Sequence, residues 1–206
     1  MEDNVNRIII VTTTLLILML QAVSVQAQSN IKTGLKGGLN FASFSGTNDS
    51  FDNRTGFTIG GFAKFSLPAT PFAIQPEIQY SQKGAEENGN EIRIDYVEFP
   101  ILLKYALVPG GIAQPNIFAG PYAGIRVLAE SEAGSGGIFG GAANIENQVN
   151  AIDYGGAVGI GMDIEVGTSI FTIDARYSHG FRDVFKSESG KNGVFAVTVG
   201  ISLPNM

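Results

Sequence analysis

From Lys32 onward this chain alternates: a large apolar side chain falls on nearly every second residue, with small, polar or charged ones between. The last segment shows it plainly. Phe195, Val197, Val199, Ile201 and Leu203 interleave with Ala196, Thr198, Gly200 and Ser202. A period of two is the mark of a strand whose two faces meet different surroundings. Eight segments carry the pattern: Lys32–Phe44, Gly56–Leu67, Phe72–Lys83, Arg93–Leu107, Asn116–Leu128, Ile152–Val166, Ser169–Gly180 and Val194–Leu203. Helical periodicity is absent from them. None holds the roughly 18 continuous apolar residues that a membrane helix needs.

The faces separate cleanly in most segments. In the third, Phe72, Ile74, Ile78 and Tyr80 oppose Gln75, Glu77, Gln79, Ser81 and Lys83. In the sixth, Tyr154, Val158, Ile160, Met162 and Ile164 oppose Asp153, Gly155, Gly159, Gly161, Asp163 and Glu165. The seventh sets Phe171, Ile173, Ala175 and Tyr177 against Thr172, Asp174, Arg176 and Ser178. The fifth is the least regular, with Pro121 on its apolar face and Phe118 and Tyr122 on the other.

Connections alternate too. Pro68–Pro71, the turn around Val108–Gly111, and Gly167–Thr168 are short. Ser45–Thr55, Gly84–Ile92, Ala129–Ala151 and Phe181–Gly193 are longer and more polar. An up-and-down barrel then has all its short turns at one rim and all its long loops at the other. Transmembrane barrels have that asymmetry, with short periplasmic turns and longer extracellular loops.

A soluble, lipocalin-like barrel would point the apolar face inward and the charged face at water. A transmembrane barrel points the apolar face at lipid and keeps a polar interior. Composition favours lipid. Only 16% of residues are charged, against the usual quarter. Aromatics flank the apolar faces, as with Phe57 and Phe65, Phe72 and Tyr80, Phe99 and Tyr105, Phe171 and Tyr177. The expected fold is therefore all-β: an eight-stranded, antiparallel, up-and-down transmembrane β-barrel. Eight strands leave an interior just wide enough for side chains to fill, so no open pore is expected.

The remaining features narrow the classes. With no cysteine and one histidine, disulfides, cysteine-ligated metals and histidine-rich metal sites are excluded. A net charge of −6 without any Arg/Lys run argues against nucleic acid. Residues 1–27 read as a secretory signal peptide, with Val25 and Ala27 at the small-residue positions before the cut. An uncleaved anchor helix over Ile8–Val25 is the alternative. Residues 28–206 form the barrel domain.

Several stretches resemble the PorT-like family of outer-membrane β-barrel proteins of Gram-negative bacteria. They are Gly34–Ala42, Gln75–Gly84, Tyr96–Tyr105, Gly120–Gly124 and Asp174–Gly180. The resemblance runs from about residue 30 to the end. It implies an eight-stranded barrel in the cell outer membrane and no single function, although one member group takes part in protein secretion. Such barrels usually end in an aromatic residue read by the assembly machinery. This chain ends Leu203-Pro204-Asn205-Met206, a departure from the pattern.

Twelve charged residues fall on the predicted inner faces: Lys36, Lys64, Glu77, Lys83, Glu98, Lys104, Arg126, Asp153, Asp163, Glu165, Asp174 and Arg176. Six are basic and six acidic. One reading is a proton or ion path. The other, which the matched signs favour, is a salt-bridge network that fills the barrel, because an unpaired charge in a narrow interior costs several kcal/mol. Glu77 with Lys104, and Glu98 with Lys64, are the expected pairs. Ser178-His179 is the one nucleophile–base neighbourhood, but adjacent strand residues face opposite ways, so no catalytic dyad and no enzyme is expected. Glu86–Glu91 reads as an acidic, solvated hairpin tip around Asn88-Gly89; a calcium loop is the alternative. The glycine-rich stretch 134–141 lacks the residues of a phosphate loop. At its centre, Ile138 and Phe139 are the expected loop contacts to a partner. No cofactor is expected. The expected partners are outer-membrane lipid, the barrel-assembly machinery during insertion and, for a secretion role, secretion-system proteins. The chain is expected to be a monomer with a structural or binding role through its loops. An accessory role in secretion or transport is the alternative, followed by a lipid-modifying enzyme or a soluble lipocalin-like carrier.

Overall fold

The structure, a computed structural model, describes residues 31–45, 52–87, 90–132, 143–145, 147–186 and 190–202. Its elements are β1 (Ile31–Ser45), β2 (Asp52–Ser66), β3 (Phe72–Glu87), β4 (Asn90–Ala106), β5 (Ala113–Glu132), the two-residue β6 (Ala143–Asn144), β7 (Ile152–Val166), β8 (Ser169–Asp183) and β9 (Lys191–Ser202). Each long strand pairs antiparallel with its neighbours in the chain. β1 also pairs with β9, from Gly34↔Ser202 to Ser45↔Lys191, which closes the barrel. β6 adds only two pairs to the end of β5. Residues 1–27, the expected signal peptide, lie outside the described residues.

The apolar faces point out. On β9, Val199 is 61% exposed and its neighbour Thr198 4%. The same holds for Leu35, Ile59, Ile101, Val158, Ile160 and Ile173, all exposed, against buried Lys36, Thr58, Leu102, Asp163 and Asp174. A water-soluble barrel with this orientation would present its greasiest surface to solvent, so the lipocalin-like reading fails. Paired aromatics lie on the outer wall, including Phe72 with Tyr105 at 5.1 Å, Phe57 with Tyr80 at 5.7 Å and Phe41 with Phe195 at 6.4 Å between ring centres. Rings of this kind suit the two lipid–water boundaries.

The strands run farther than the alternation indicated, chiefly toward the long loops. β2 starts at Asp52 rather than Gly56, β3 ends at Glu87 rather than Lys83, and β5 ends at Glu132 rather than Leu128. Beyond the lipid, the outer face no longer has to be apolar, so the pattern stops while the ladder continues. Between β3 and β4 the ladder reaches Glu87↔Asn90, which reduces the expected loop Gly84–Ile92 to a two-residue connection. At the opposite rim the turns are tight. The β7–β8 turn has Val166 paired with Ser169, with Gly167 at φ 62°, a left-handed conformation that glycine adopts without strain.

Above the lipid zone the interior changes character. Phe44, Ala85, Ile94, Tyr96, Ala129, Val149 and Val184 form a buried apolar cluster, with Ile92, Ile145 and Phe185 packed on it. Strand ends provide the first five. Val149 and Val184 come from the last two long connections, which pair with each other: Val149 bridges Phe185, and the Asn150 amide donates to the Val184 carbonyl at 2.8 Å. The barrel mouth on this side is thus covered by an apolar plug.

Small residues on β7 make room for lumen aromatics. A Cβ added at Gly159 would fall well inside van der Waals contact with both Phe118 Cζ and the Ala175 carbonyl oxygen. Gly159→Val should therefore destabilise the barrel by at least about 1–3 kcal/mol, the usual cost of overpacking. The expected readout is a lower temperature for loss of the fast-migrating, unboiled band on a gel.

Candidate functional site: the filled lumen

Ten of the twelve charges expected inside form ion pairs there. They fall into two groups along the barrel axis. The larger group lies toward the short-turn rim. Glu77 on β3 accepts from Lys36 Nζ on β1 at 2.9 Å and from Arg176 Nη2 on β8 at 2.7 Å, and Gln75 Nε2 adds a bond of 2.8 Å. Asp174 accepts from Lys36 at 3.2 Å and from Lys104 Nζ at 3.4 Å. Asp163 accepts from Lys64 at 2.7 Å, Lys104 at 3.4 Å and the Thr172 hydroxyl at 3.0 Å. The second group lies beneath the apolar plug. Lys83 Nζ is 2.5 Å from Glu98 Oε1 and 3.1 Å from Asp153 Oδ2. Asp153 Oδ2 also accepts from Asn192 Nδ2 at 2.9 Å and the Tyr122 hydroxyl at 3.2 Å. Gln79 Nε2 donates to Glu98 Oε2 at 2.9 Å.

The pairs differ from those expected. Glu77 meets Lys36 and Arg176 rather than Lys104, and Glu98 meets Lys83 rather than Lys64. Lys64 and Lys104 instead share Asp163. The reason is register: partners from distant strands meet only where the stagger of the closed barrel brings them level.

Two of the twelve stand apart. Glu165 is exposed at the short-turn rim, where Gln114 Nε2 donates to it at 3.0 Å. It is too close to the end of β7 to face the lumen. Arg126 lies opposite Tyr96 beside a bulge that inserts Val127 into β5. It makes no ion pair among the described residues, and its Nε and Nη1 are buried there without hydrogen-bond partners.

Sequence reasoning missed the lumen aromatics. Phe118, the irregular residue of β5, lies under two cations, with Lys104 Nζ 5.5 Å and the Arg176 guanidinium 5.8 Å from its ring centre. Lys83 Nζ stands 4.6 Å from the Tyr122 ring and 5.1 Å from that of Tyr96. A ring face attracts a desolvated cation by about 2 kcal/mol or more. The signal was present, since large aromatics interrupted an otherwise polar face.

The lumen contains no nucleophile–base dyad at Ser178-His179. Ser178 lines an interior cavity, while His179 stacks on Tyr177 outside, with Phe181 beyond it. At the acidic tip, Glu91 is held by Arg54 Nε at 2.5 Å, while Asn88 and Gly89 lie outside the described residues. Among the described residues, no group of three or more histidine or acidic side chains is arranged to hold a metal ion. Ile138 and Phe139 also lie outside the described residues.

A closed barrel with a lipid-facing apolar wall and a polar, plugged interior defines a class, and the comparisons agree. Residues 26–186 match the family model described as outer membrane protein beta-barrel domain. The chain belongs to that family. This outer-membrane barrel therefore resides in the cell outer membrane. Among curated protein sequences nothing matches it. Of solved structures, it is similar to Neisserial surface protein A, with a TM-score of 0.54, 11% identity, and coverage of 84% of this chain and 97% of that one. A major outer membrane protein of Thermus thermophilus gives a TM-score of 0.52 and 10% identity, with coverage of 84% of this chain and 98% of that one. At such low identity these likenesses establish the fold alone.

Removing one member of the network should expose how it is held. Breaking a buried ion pair leaves its partner uncompensated, at about 3–5 kcal/mol. Glu77→Gln should cost that much in urea unfolding from lipid vesicles, and adding Lys36→Met should restore part of the loss. An unchanged midpoint for the single variant would show that Glu77 does not hold the lumen together.

Proposed function

We propose that this outer-membrane barrel conducts nothing and works by binding at its extracellular end. The observation that carries the reading is the double closure of the lumen. A neutralised charge network fills the lipid-spanning part, and an apolar plug covers the mouth above it. A transport role would need one of them to move. The two paired connections give the outer surface a built platform. Asn150 Nδ2 donates to the Asp183 carbonyl at 2.8 Å, Arg182 Nη2 donates to Asn150 Oδ1 at 3.2 Å, and the Lys186 amide donates to the Gln148 carbonyl at 3.0 Å. Ile138 and Phe139 belong to the connection that ends in this platform, and they are the proposed partner contacts. Lipid surrounds the monomeric barrel, and the assembly machinery inserts it. It carries no catalytic group and no cofactor in this reading.

The motif resemblance to the PorT-like barrels supports a narrower placement and, with it, a second reading as an accessory of protein secretion. The two separate by experiment. A photoreactive residue at Phe139, displayed on intact cells, should give a discrete crosslinked protein band that Ile138→Asp abolishes. Purified barrel in planar bilayers should show no steady conductance. A secretion defect on deletion, with no partner captured at Phe139, would favour the second reading.

A further inference from the structure

Between the two charge groups lies a small cavity. Its walls include Asn40, Ser81, Lys83, Glu98, Arg176 and Thr198. A water-sized sphere has about 10 Å³ in which to place its centre, which is at the lower bound of roughly 10–15 Å³ for holding one water. Two lining residues bring unused hydrogen-bonding capacity. Arg176 and Glu98 are each only 4% exposed. Arg176 spends Nη2 on Glu77 and leaves Nε without a partner among the described residues. Glu98 Oε1 is held by Lys83 Nζ at 2.5 Å and keeps a second lone pair that no other described group uses.

The charge count points the same way. Toward the short-turn rim the paired groups are Lys36, Lys64, Lys104 and Arg176 against Glu77, Asp163 and Asp174, an excess of one positive charge. Beneath the plug they are Lys83 against Glu98 and Asp153, an excess of one negative charge. Counting the ion-paired groups alone and leaving out Arg126, neither group is neutral, yet together they are. Arg176 belongs to the positive group and Glu98 to the negative one, and both line the cavity.

We infer that this cavity is a binding site for a single buried water, which accepts from Arg176 Nε and donates to Glu98 Oε1. The water joins two incompletely neutralised halves into one balanced network. Its site is polar, fits one molecule and supplies both a donor and an acceptor. Buried waters typically bridge groups of this kind. A larger or anionic occupant is excluded by the volume and by the Glu98 carboxylate.

Two measurements test it. A crystal structure of the unmodified barrel, at a resolution that shows ordered solvent, should place one solvent peak within hydrogen-bond distance of Arg176 Nε and Glu98 Oε1. A direct guanidinium–carboxylate contact with no solvent between them would overturn the site. The second is a double-mutant cycle, with Glu98→Gln, Arg176→Gln and the pair, read by urea unfolding in lipid vesicles. Residues in one network couple, and a non-additivity of about tenfold in the unfolding constant is expected. Strict additivity would overturn the linkage of the two halves, whatever solvent the crystal shows.

Discussion

Everything in this barrel depends on the mutual neutralisation of charges held in its narrow interior. The ion-paired lumen side chains comprise five bases and five acids: Lys36, Lys64, Lys83, Lys104 and Arg176 against Glu77, Glu98, Asp153, Asp163 and Asp174. Moving any one of them from water into this interior would cost several kcal/mol by itself. Sharing solves the problem. Glu77, Asp163 and Asp174 each serve two cations, and Lys36, Lys83 and Lys104 each serve two carboxylates. Ring faces of Phe118, Tyr96 and Tyr122 complete the coordination of the cations. Gly159 and Gly155 on β7 leave room for Phe118 and Tyr122, so the packing of the lumen follows from its electrostatics.

The second constraint is that each strand crosses more than one solvent. A transmembrane strand needs only about 9–11 residues, yet β5 has 20 and β4 has 17. The surplus projects beyond the lipid. There the logic inverts: in β4, Ile92, Ile94 and Tyr96 turn inward to the apolar plug, while Arg93 remains outside, paired with Asp95 at 2.6 Å. One strand thus behaves as a membrane strand along one stretch and as a soluble-barrel strand along the next. The plug and the ion network are stacked answers to two environments, and together they close the lumen.

Much of this was legible in the residues. All eight long strands contain or overlap the alternating segments, and ten of the twelve charges placed on inner faces pair with one another inside the barrel, Glu165 and Arg126 standing apart. Phe118 and Tyr122 on the polar face of β5 looked like irregularities and proved to be cation partners. The plug was not legible, because Phe44, Ile94, Val149 and Val184 belong to no common period. They come from strand ends and from connections whose association only the closed mouth creates.

By itself, the sequence determined the number of strands and which side of each faces lipid. Alternation is a local property of extended backbone, and a face that meets lipid must be apolar along its length. Only the tertiary structure decided who pairs with whom. Lys36 and Asp174 are separated by 138 positions in the chain, and they meet because closure through β1 and β9 fixes the stagger of every strand between. The same closure decided that Arg176 and Glu98 line one small interior cavity, and that Val149 and Val184 join one apolar cluster at the mouth.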